Sequence, residues 1–328
     1  MGRIFGGVVL DPGDTAVIVN PAAARGRVGK AWSKLEPRLR AALGEVSFRH
    51  SERPGNAAEQ ARTAVLEGRR TILSLGGDGT LDEVVNGIMA ASPSAGEVTV
   101  GVLPWGTGSD FARMLQLPRD PVAAAHELRE APATPLDLGR ARIESTDPPR
   151  IRYFVNVGSF GMSGLVDTMV KESSGVLGGT LSFYIAAIRA LLRYRPARVE
   201  LIADGELLGE HSINTVALGN ARYFGGGMKI APDADPTDGW LDGVVIEQRS
   251  FWRMLTLTFF VYRGRHAELE FVRTFRARRL EARLVGEHPA YIELDGESAG
   301  ELPATFEVVP GVLRLLGRPG GGTDAPTR

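Results

Sequence analysis

Two stretches of this 328-residue chain place glycines and a carboxylate where a buried apolar run gives way to a helical pattern. The first, Gly76-Gly77-Asp78-Gly79-Thr80, follows Thr71–Leu75; the second, Gly106-Thr107-Gly108-Ser109-Asp110, follows Val98–Leu103. Glycines let backbone N–H groups approach phosphate oxygens, and the start of a helix adds partial positive charge. Two such loops, each carrying an aspartate, suit a magnesium-bound polyphosphate. The bland readings are a tight strand-to-helix turn for the first and a simple helix cap for Asp110.

Other charged groups stand nearby in the sequence. Arg25, Arg27 and Lys30 read either as phosphate contacts or as a solvated basic loop. They are not a Walker loop, because Ala24 and Ala31 stand where glycine and Ser or Thr are required, and no G-x-G-x-x-G follows the first strand. Asp233, Asp235, Asp238 and Asp242 form an oxygen-rich stretch suited to a hard cation or to water. Tyr291–Leu294 alternates like a strand and ends in Asp295-Gly296-Glu297, which by itself reads as a hairpin turn.

The elements that must carry these groups alternate in type over the first third of the chain. Strands are expected at Ala16–Asn20, Thr71–Leu75 and Val98–Leu103, and helices at Lys30–Leu43, Ala57–Leu66, Leu81–Ala90 and after Asp120-Pro121. That pattern calls for a parallel sheet covered by helices. Beyond Pro135 the texture turns to short β-rich segments, Tyr153–Val157, Val199–Ala203, Thr215–Leu218, Val244–Glu247 and Tyr291–Leu294, the signature of an antiparallel second domain. Helical interludes fall at Leu181–Tyr194 and Phe251–Arg263, and Thr305–Val309 reads as a last strand. Two domains suit the length, since single cores stop growing at roughly 250–300 residues.

Composition narrows the function classes. With 38 basic against 39 acidic residues there is no general attraction for nucleic acid. The absence of cysteine removes disulfide scaffolds, thiolate zinc sites and cysteine nucleophiles. Met1–Leu10 lacks the apolar centre of a signal peptide, and Met254–Tyr262 is far short of the ~20 residues that span a bilayer. A cytoplasmic protein is expected.

Asn20-Pro21, Gly76–Thr80 continuing through Asp82-Glu83-Val84-Val85-Asn86-Gly87-Ile88, and Gly106–Phe111 together resemble the catalytic domain of soluble bacterial diacylglycerol kinases, relatives of sphingosine and ceramide kinases. The likeness continues in Phe154–Gly161, in Asn220 with Tyr223–Pro232, and in Asp238-Gly239-Trp240-Leu241-Asp242, covering nearly all of positions 16 to 316. The ordered set is specific, whereas Gly-Gly-Asp-Gly-Thr alone is shared with phosphofructokinases and NAD kinases. The resemblance implies a phosphofructokinase-like α/β domain over 1–136, a β-sandwich lipid-substrate domain over 137–304, a chain end at 305–317 that returns to the first domain, and a disordered tail at 318–328. It implies ATP and Mg2+ as cofactors. Asn20, Arg25, Lys30, Gly76, Gly77, Asp78, Gly79, Thr80, Gly106, Thr107, Gly108 and Asp110 would then serve the nucleotide, with Asp78 and Asp110 on its metal. A structural magnesium would rest on the Asp238 side chain and on the carbonyls of Asp235 and Trp240. Asp295 would be the base for the acceptor hydroxyl, and Glu297 its support. Ser109, where the family commonly carries Asn, and Ala22-Ala23-Ala24, where many members carry a Ser-Gly pair, are departures.

The expected activity is transfer of a phosphoryl group from ATP to a membrane lipid, diacylglycerol first, with ceramide, sphingosine, phosphatidylglycerol or a polyprenol as alternatives. An NAD kinase and a silent nucleotide or lipid sensor on the same fold are the competing functions. A lipid acceptor calls for peripheral contact with an anionic membrane, for which Leu181–Tyr194 and Phe251–Tyr262, rich in apolar and arginine side chains, are the candidates, against the alternative that their stripes are core. A homodimer is compatible with this reading.

Overall fold

Thr15–Val19 and Thr71–Gly76 are buried along their whole lengths, as strands covered on both faces must be. In the computed structural model, which describes residues 10–105, 109–162 and 194–319, they form β1 and β3 of a parallel sheet. β2 (Ser47–His50) pairs with β1, and β4 (Thr99–Pro104) pairs with β3, so the order is β2-β1-β3-β4. Helices α1 (Ala23–Leu43), α2 (Asn56–Leu66), α3 (Asp78–Ala90), α4 (Asp110–Met114) and α5 (Pro121–Glu130) join these strands or follow them. Leu35, Leu39, Leu43, Val122 and Leu128 from α1 and α5 pack on Val17, Val19, Leu73 and Leu75 of the sheet. Asp120 caps α5 as the sequence indicates, accepting the Ala123 N–H at 3.2 Å. Gly87 lies mid-helix in α3, where glycine ordinarily costs about 1 kcal/mol. Its reason is contact with α2, because a Cβ there would fall 2.1 Å from the Ala58 carbonyl oxygen.

The chain divides into two compact units, one comprising Met1–Leu138 with Pro310–Arg328, the other Gly139–Val309. Two long strands, β5 (Ala133–Ile143) and β17 (Ala304–Leu316), run across the divisions. Arg314 and Leu315 of β17 pair in parallel with Thr99 and Val100 of β4. The second unit is antiparallel in every strand pair described. Its strands are β6 (Arg150–Phe154), β7 (Val157–Gly161), β8 (Ala197–Ala203), β9 (Glu206–Gly219), β12 (Leu241–Glu247), β13 (Val272–Ala277), β14 (Arg279–Leu284), β15 (Tyr291–Leu294) and β16 (Glu297–Glu301), with a small ribbon of β10 (Tyr223–Phe224) and β11 (Met228–Lys229). β9 pairs with β8 along its first half and with β7 and β12 along its second, which makes it the strand shared by two sandwich layers. Phe154, Phe160, Leu218, Leu280, Ile292 and Phe306 fill the core, Phe160 and Phe306 with stacked rings 5.5 Å apart. A fully buried aromatic or aliphatic side chain of this kind contributes about 1.5–3 kcal/mol.

One expected strand, Tyr153–Val157, is in fact two. β6 ends at Phe154 and β7 begins at Val157, so Val155 and Asn156 form a turn. The expected helix at Leu181–Tyr194, apart from its last residue, and the tail beyond Pro319 lie outside the described residues. No helix among the described residues is long and apolar enough to cross a membrane.

A second core in this unit lies under α6 (Phe251–Tyr262), where Met254, Leu257 and Val261 pack on Ile230, Val244, Ile246 and Phe271. His266, fully buried just beyond this helix, lies 2.9 Å by Nε2 from the Ile230 carbonyl oxygen. A carbonyl only accepts, so the neutral ring carries its proton on Nε2 and leaves buried Nδ1 without a donor among the described residues. Burial lowers the His266 pKa from its ordinary 6.5, and the bond to Ile230 opposes this only in part. The unfolded chain therefore takes up a proton first as pH falls, and stability is lost from about pH 6.5 downward toward the folded value. Thermal melts between pH 8 and pH 5 should show this loss, and His266→Gln, which keeps a donor for Ile230, should flatten it. An identical slope in both proteins would mean that other groups carry the pH dependence.

Candidate active site

In the parallel sheet, β1, β3 and β4 end on the same edge, and the connections leave in opposite directions from β1 and β3. Crevices at such reversals are where open α/β sheets bind ligands. Asn20 stands just after β1 at this point, and its Nδ2 donates to Thr80 Oγ1 at 3.0 Å while its Oδ1 accepts the Ala22 N–H. Gly76 closes β3 with no room for a side chain, since a Cβ would come within 2.3 Å of Thr80 Oγ1. Gly77 is the N-cap of α3, with Asp78, Gly79 and Thr80 in its first turn.

Asp78 joins the first glycine loop to α4. Its Oδ2 accepts the Asp110 N–H at 2.9 Å and its Oδ1 the Phe111 N–H at 3.2 Å, so it caps α4 from a distance of 32 residues. The Trp105 N–H donates to the Gly76 carbonyl at 2.8 Å and adds a second tie. Burial raises the pKa of Asp78, and the amide donors pull it back only in part. Asp110 is 3% exposed, with Oδ1 3.7 Å from Arg113 Nε. Ser109, at the N-cap of α4, is held at φ 48°, a left-handed conformation that asparagine tolerates better than serine. This gives a physical meaning to the departure at that position. Gly106, Thr107 and Gly108 lie outside the described residues.

Arg25 and Lys30 are exposed. Ala24, Arg25 and Gly26 have φ of 51°, 62° and 77°, so regular α1 geometry begins only after them. Three successive left-handed residues form a turn, with the Gly26 N–H held by the Ala22 carbonyl.

Asp295 and Gly296, at φ 50° and 87°, are the two-residue hairpin between β15 and β16. The Asp295 carboxylate reaches into the turn at Val155 and Asn156. Oδ2 accepts the Val155 N–H at 2.6 Å, and Oδ1 accepts those of Asn156 and Val157 at 2.9 Å. The Asp295 N–H returns a bond to the Val157 carbonyl. Glu297 follows at the start of β16, half-buried. The chain holds a second Asp-Gly-Glu, Asp204-Gly205-Glu206, folded alike: φ is 49° and 87°, and Asp204 accepts the Arg278 and Arg279 N–H groups. The tripeptide is therefore a folding device in both places, and only its surroundings differ. Asp204 is exposed, whereas the turn that Asp295 holds is backed by the buried residues Asn156 and Asn220.

Those two asparagines are site residues to which sequence reasoning assigned no role. Asn220 Nδ2 donates to the Val155 carbonyl at 2.8 Å, and the Asn220 and Ala221 N–H groups donate to the Asn156 carbonyl. The Asn156 Oδ1 is buried with no donor among the described residues. The available signal was polarity inside an apolar run, since a buried amide needs partners.

In the acidic stretch the Asp238 carboxylate pairs with Arg276 and accepts the Trp240 N–H at 3.0 Å, while the Asp235 carbonyl accepts the Asp238 N–H at 3.3 Å. Asp242 Oδ2 is buried without a donor among the described residues. Burial raises the Asp242 pKa, Arg276 opposes this, and Asp238, Asp233 and Asp235 add to it.

Comparison with known proteins decides the family. Residues 14–141 match the model of the diacylglycerol kinase catalytic domain, and residues 156–317 match that of the YegS C-terminal NAD kinase beta sandwich-like domain. The chain is 30% identical to the diacylglycerol kinase of Bacillus subtilis over 292 residues, 88% of this chain and 91% of that one. This chain belongs to the diacylglycerol kinase family of lipid kinases. Similarity extends to a diacylglycerol kinase of Mycobacterium tuberculosis, 30% identical over 93% of this lipid kinase and 95% of the relative, and to a probable lipid kinase YegS-like of Xanthomonas euvesicatoria, 30% identical over 88% and 93%. The fold agrees with a solved diacylglycerol kinase of Bacillus anthracis at a TM-score of 0.67 and 21% identity, covering 93% and 97% of the two chains. Yeast NADH kinase shares the fold at a TM-score of 0.50 with 12% identity, covering 92% of the lipid kinase and 82% of that chain.

Proposed function

We propose that this lipid kinase transfers the γ-phosphoryl group of ATP to the free hydroxyl of diacylglycerol, giving phosphatidic acid. The observation that carries the reading is Asp78, a half-buried carboxylate tying the first glycine-rich strand-end loop to α4 at the point where the sheet reverses. Phosphoryl transfer needs alignment and neutralisation of charge more than covalent chemistry. Asn20, Gly76–Thr80, the second loop with Asp110, and the exposed Arg25 and Lys30 are the groups we assign to the nucleotide. Asp295 is assigned as base for the lipid hydroxyl, with Glu297 supporting it. Diacylglycerol is favoured because it is the acceptor in the names of the Bacillus subtilis and Mycobacterium tuberculosis relatives.

Magnesium fits the donor set of this chain. Asp78 and Asp110 are hard oxygen donors beside the nucleotide loops, and the surplus negative charge around Asp242, with its orphaned oxygen, suits a cation held by Asp238 and the carbonyls of Asp235 and Trp240. Arg276 is the competing cation at Asp238. Bound metal supplies charge neutralisation. A cytoplasmic location with peripheral membrane contact completes the proposal.

The test is labelled ATP offered with diacylglycerol, ceramide, sphingosine, monoacylglycerol, phosphatidylglycerol and polyprenol in mixed micelles, and with NAD in a separate arm. Label should pass to diacylglycerol at the highest kcat/KM. Label on NAD alone, or on no acceptor, would overturn the proposal.

A further inference from the structure

α6 contains no acidic residue and is apolar on nearly every side. Such a helix is ordinarily enclosed on all sides. Here Met254, Leu257 and Val261 face the core, while Trp252, Leu255 and Phe259 stand out from the opposite side, 73%, 43% and 56% exposed. Their spacing of three and four residues puts the outward group on one stripe. Singly exposed apolar residues need no explanation, but three large ones aligned on a helix do.

The charge around the stripe identifies what covers it. Three arginines stand on the helix or within three residues of its end, Arg253, Arg263 and Arg265, whereas Arg249 and Arg273 pair with Glu247, and Arg276 with Asp238. Arg263 lies over the Phe259 ring and has no carboxylate partner among the described ion pairs. Arg253 and Arg265 pair with Glu270 and Glu268, but all four side chains are more than half exposed, and such pairs contribute little and exchange readily. An apolar stripe on a helix that holds no acid, with Arg263 over its outer ring, matches an anionic bilayer, with rings at the headgroup boundary and guanidinium groups among lipid phosphates. A second protein copy would have to offer an acidic rim, and it would need about 800 Å² of contact, more than one stripe of three side chains supplies.

We propose that the outer face of α6, Trp252, Leu255 and Phe259 with Arg263, seats the protein on an anionic lipid surface. The proposal deepens the lipid kinase reading, and rests on it for its purpose though not for its chemistry. The inner face of the same helix packs on Ile230, at the end of the glycine-rich segment that begins with Tyr223. Seating on lipid would thus bear directly on that segment.

The full chain, without ATP, is mixed with vesicles of phosphatidylglycerol and phosphatidylcholine, and separately with pure phosphatidylcholine. The wild type should sediment with the anionic vesicles, less so as salt rises, and its tryptophan emission should shift to the blue. Leu255→Ala combined with Phe259→Ser should lower partitioning by roughly tenfold or more, Arg263→Glu should weaken it on anionic vesicles specifically, and Trp252→Ala should abolish the shift. All these side chains are exposed, so melting temperatures should be unchanged. Activity on a short-chain diacylglycerol dissolved as monomer should also be retained. Wild-type partitioning by the variants would overturn the proposal. So would light scattering that shows a dimer in the wild type and a monomer in Leu255→Ala with Phe259→Ser, since the stripe would then be covered by a second copy. Binding is read without turnover, so failure of the acceptor assignment leaves this result standing.

Discussion

Asp295→Asn should lower kcat on the best lipid acceptor by roughly 10²–10⁴-fold, the usual worth of a positioned base, while ATP affinity stays nearly constant. A change in rate without a change in binding marks an interaction made chiefly in the transition state. The structure adds a second cause that must be separated from the first. Asp295 accepts three main-chain N–H groups from Val155, Asn156 and Val157, and asparagine would turn an NH2 toward at least one of them. A buried donor left unmet costs about 1–3 kcal/mol. Asp204→Asn is the matched control, because Asp204 occupies the same position in a hairpin of the same conformation and likewise accepts main-chain amides. Both variants should lose some stability, and only Asp295→Asn should lose rate on the scale of a missing base. Glu297→Gln should lose less. Equal modest losses from Asp295→Asn and Asp204→Asn would make Asp295 a holder of the 155–157 turn and place the base elsewhere.

The second large effect is expected at Asp78. Each carboxylate oxygen accepts one amide of α4, so Asp78→Asn sets an NH2 against the Asp110 or Phe111 N–H and releases the second loop from the first. With 1–3 kcal/mol lost, the melting temperature should fall by about 2–12 °C for a unit of this size. Turnover should fall by about 10²-fold or more, because the nucleotide groups on the two loops lose their common register. Asp78→Glu, which keeps the charge but changes its reach, should behave similarly in rate. Wild-type turnover in either variant would remove this junction from catalysis.

Much of this was legible in the residues themselves. The buried runs of β1, β3 and β4 are apolar without alternation, and Asp120-Pro121, Gly76-Gly77 and Asp295-Gly296 are local signals whose geometry depends on few neighbours. β15 was legible to the residue because it alternates and ends in a two-residue turn. β2 was missed because Ser47–His50 is half-buried at a sheet edge and carries little periodic signal. The division of Tyr153–Val157 was missed for a different reason. Val155 and Asn156 read as strand by type, and what turns them is a carboxylate 139 residues away in sequence, at Asp295.

Local chemistry therefore determined the fold class, the first glycine loop and the turn at Asp295, since each depends on backbone preference or on burial of a short run. Tertiary structure alone decided what the carboxylates touch. That Asp78 caps α4, that Asp295 gathers three amides while its twin at Asp204 gathers those of Arg278 and Arg279, that Arg276 sits on Asp238, and that α6 turns Trp252, Leu255 and Phe259 outward all depend on contacts between distant segments. A hydrogen bond acts over about 3 Å whatever the separation along the chain, and only the packed core brings such partners within that distance.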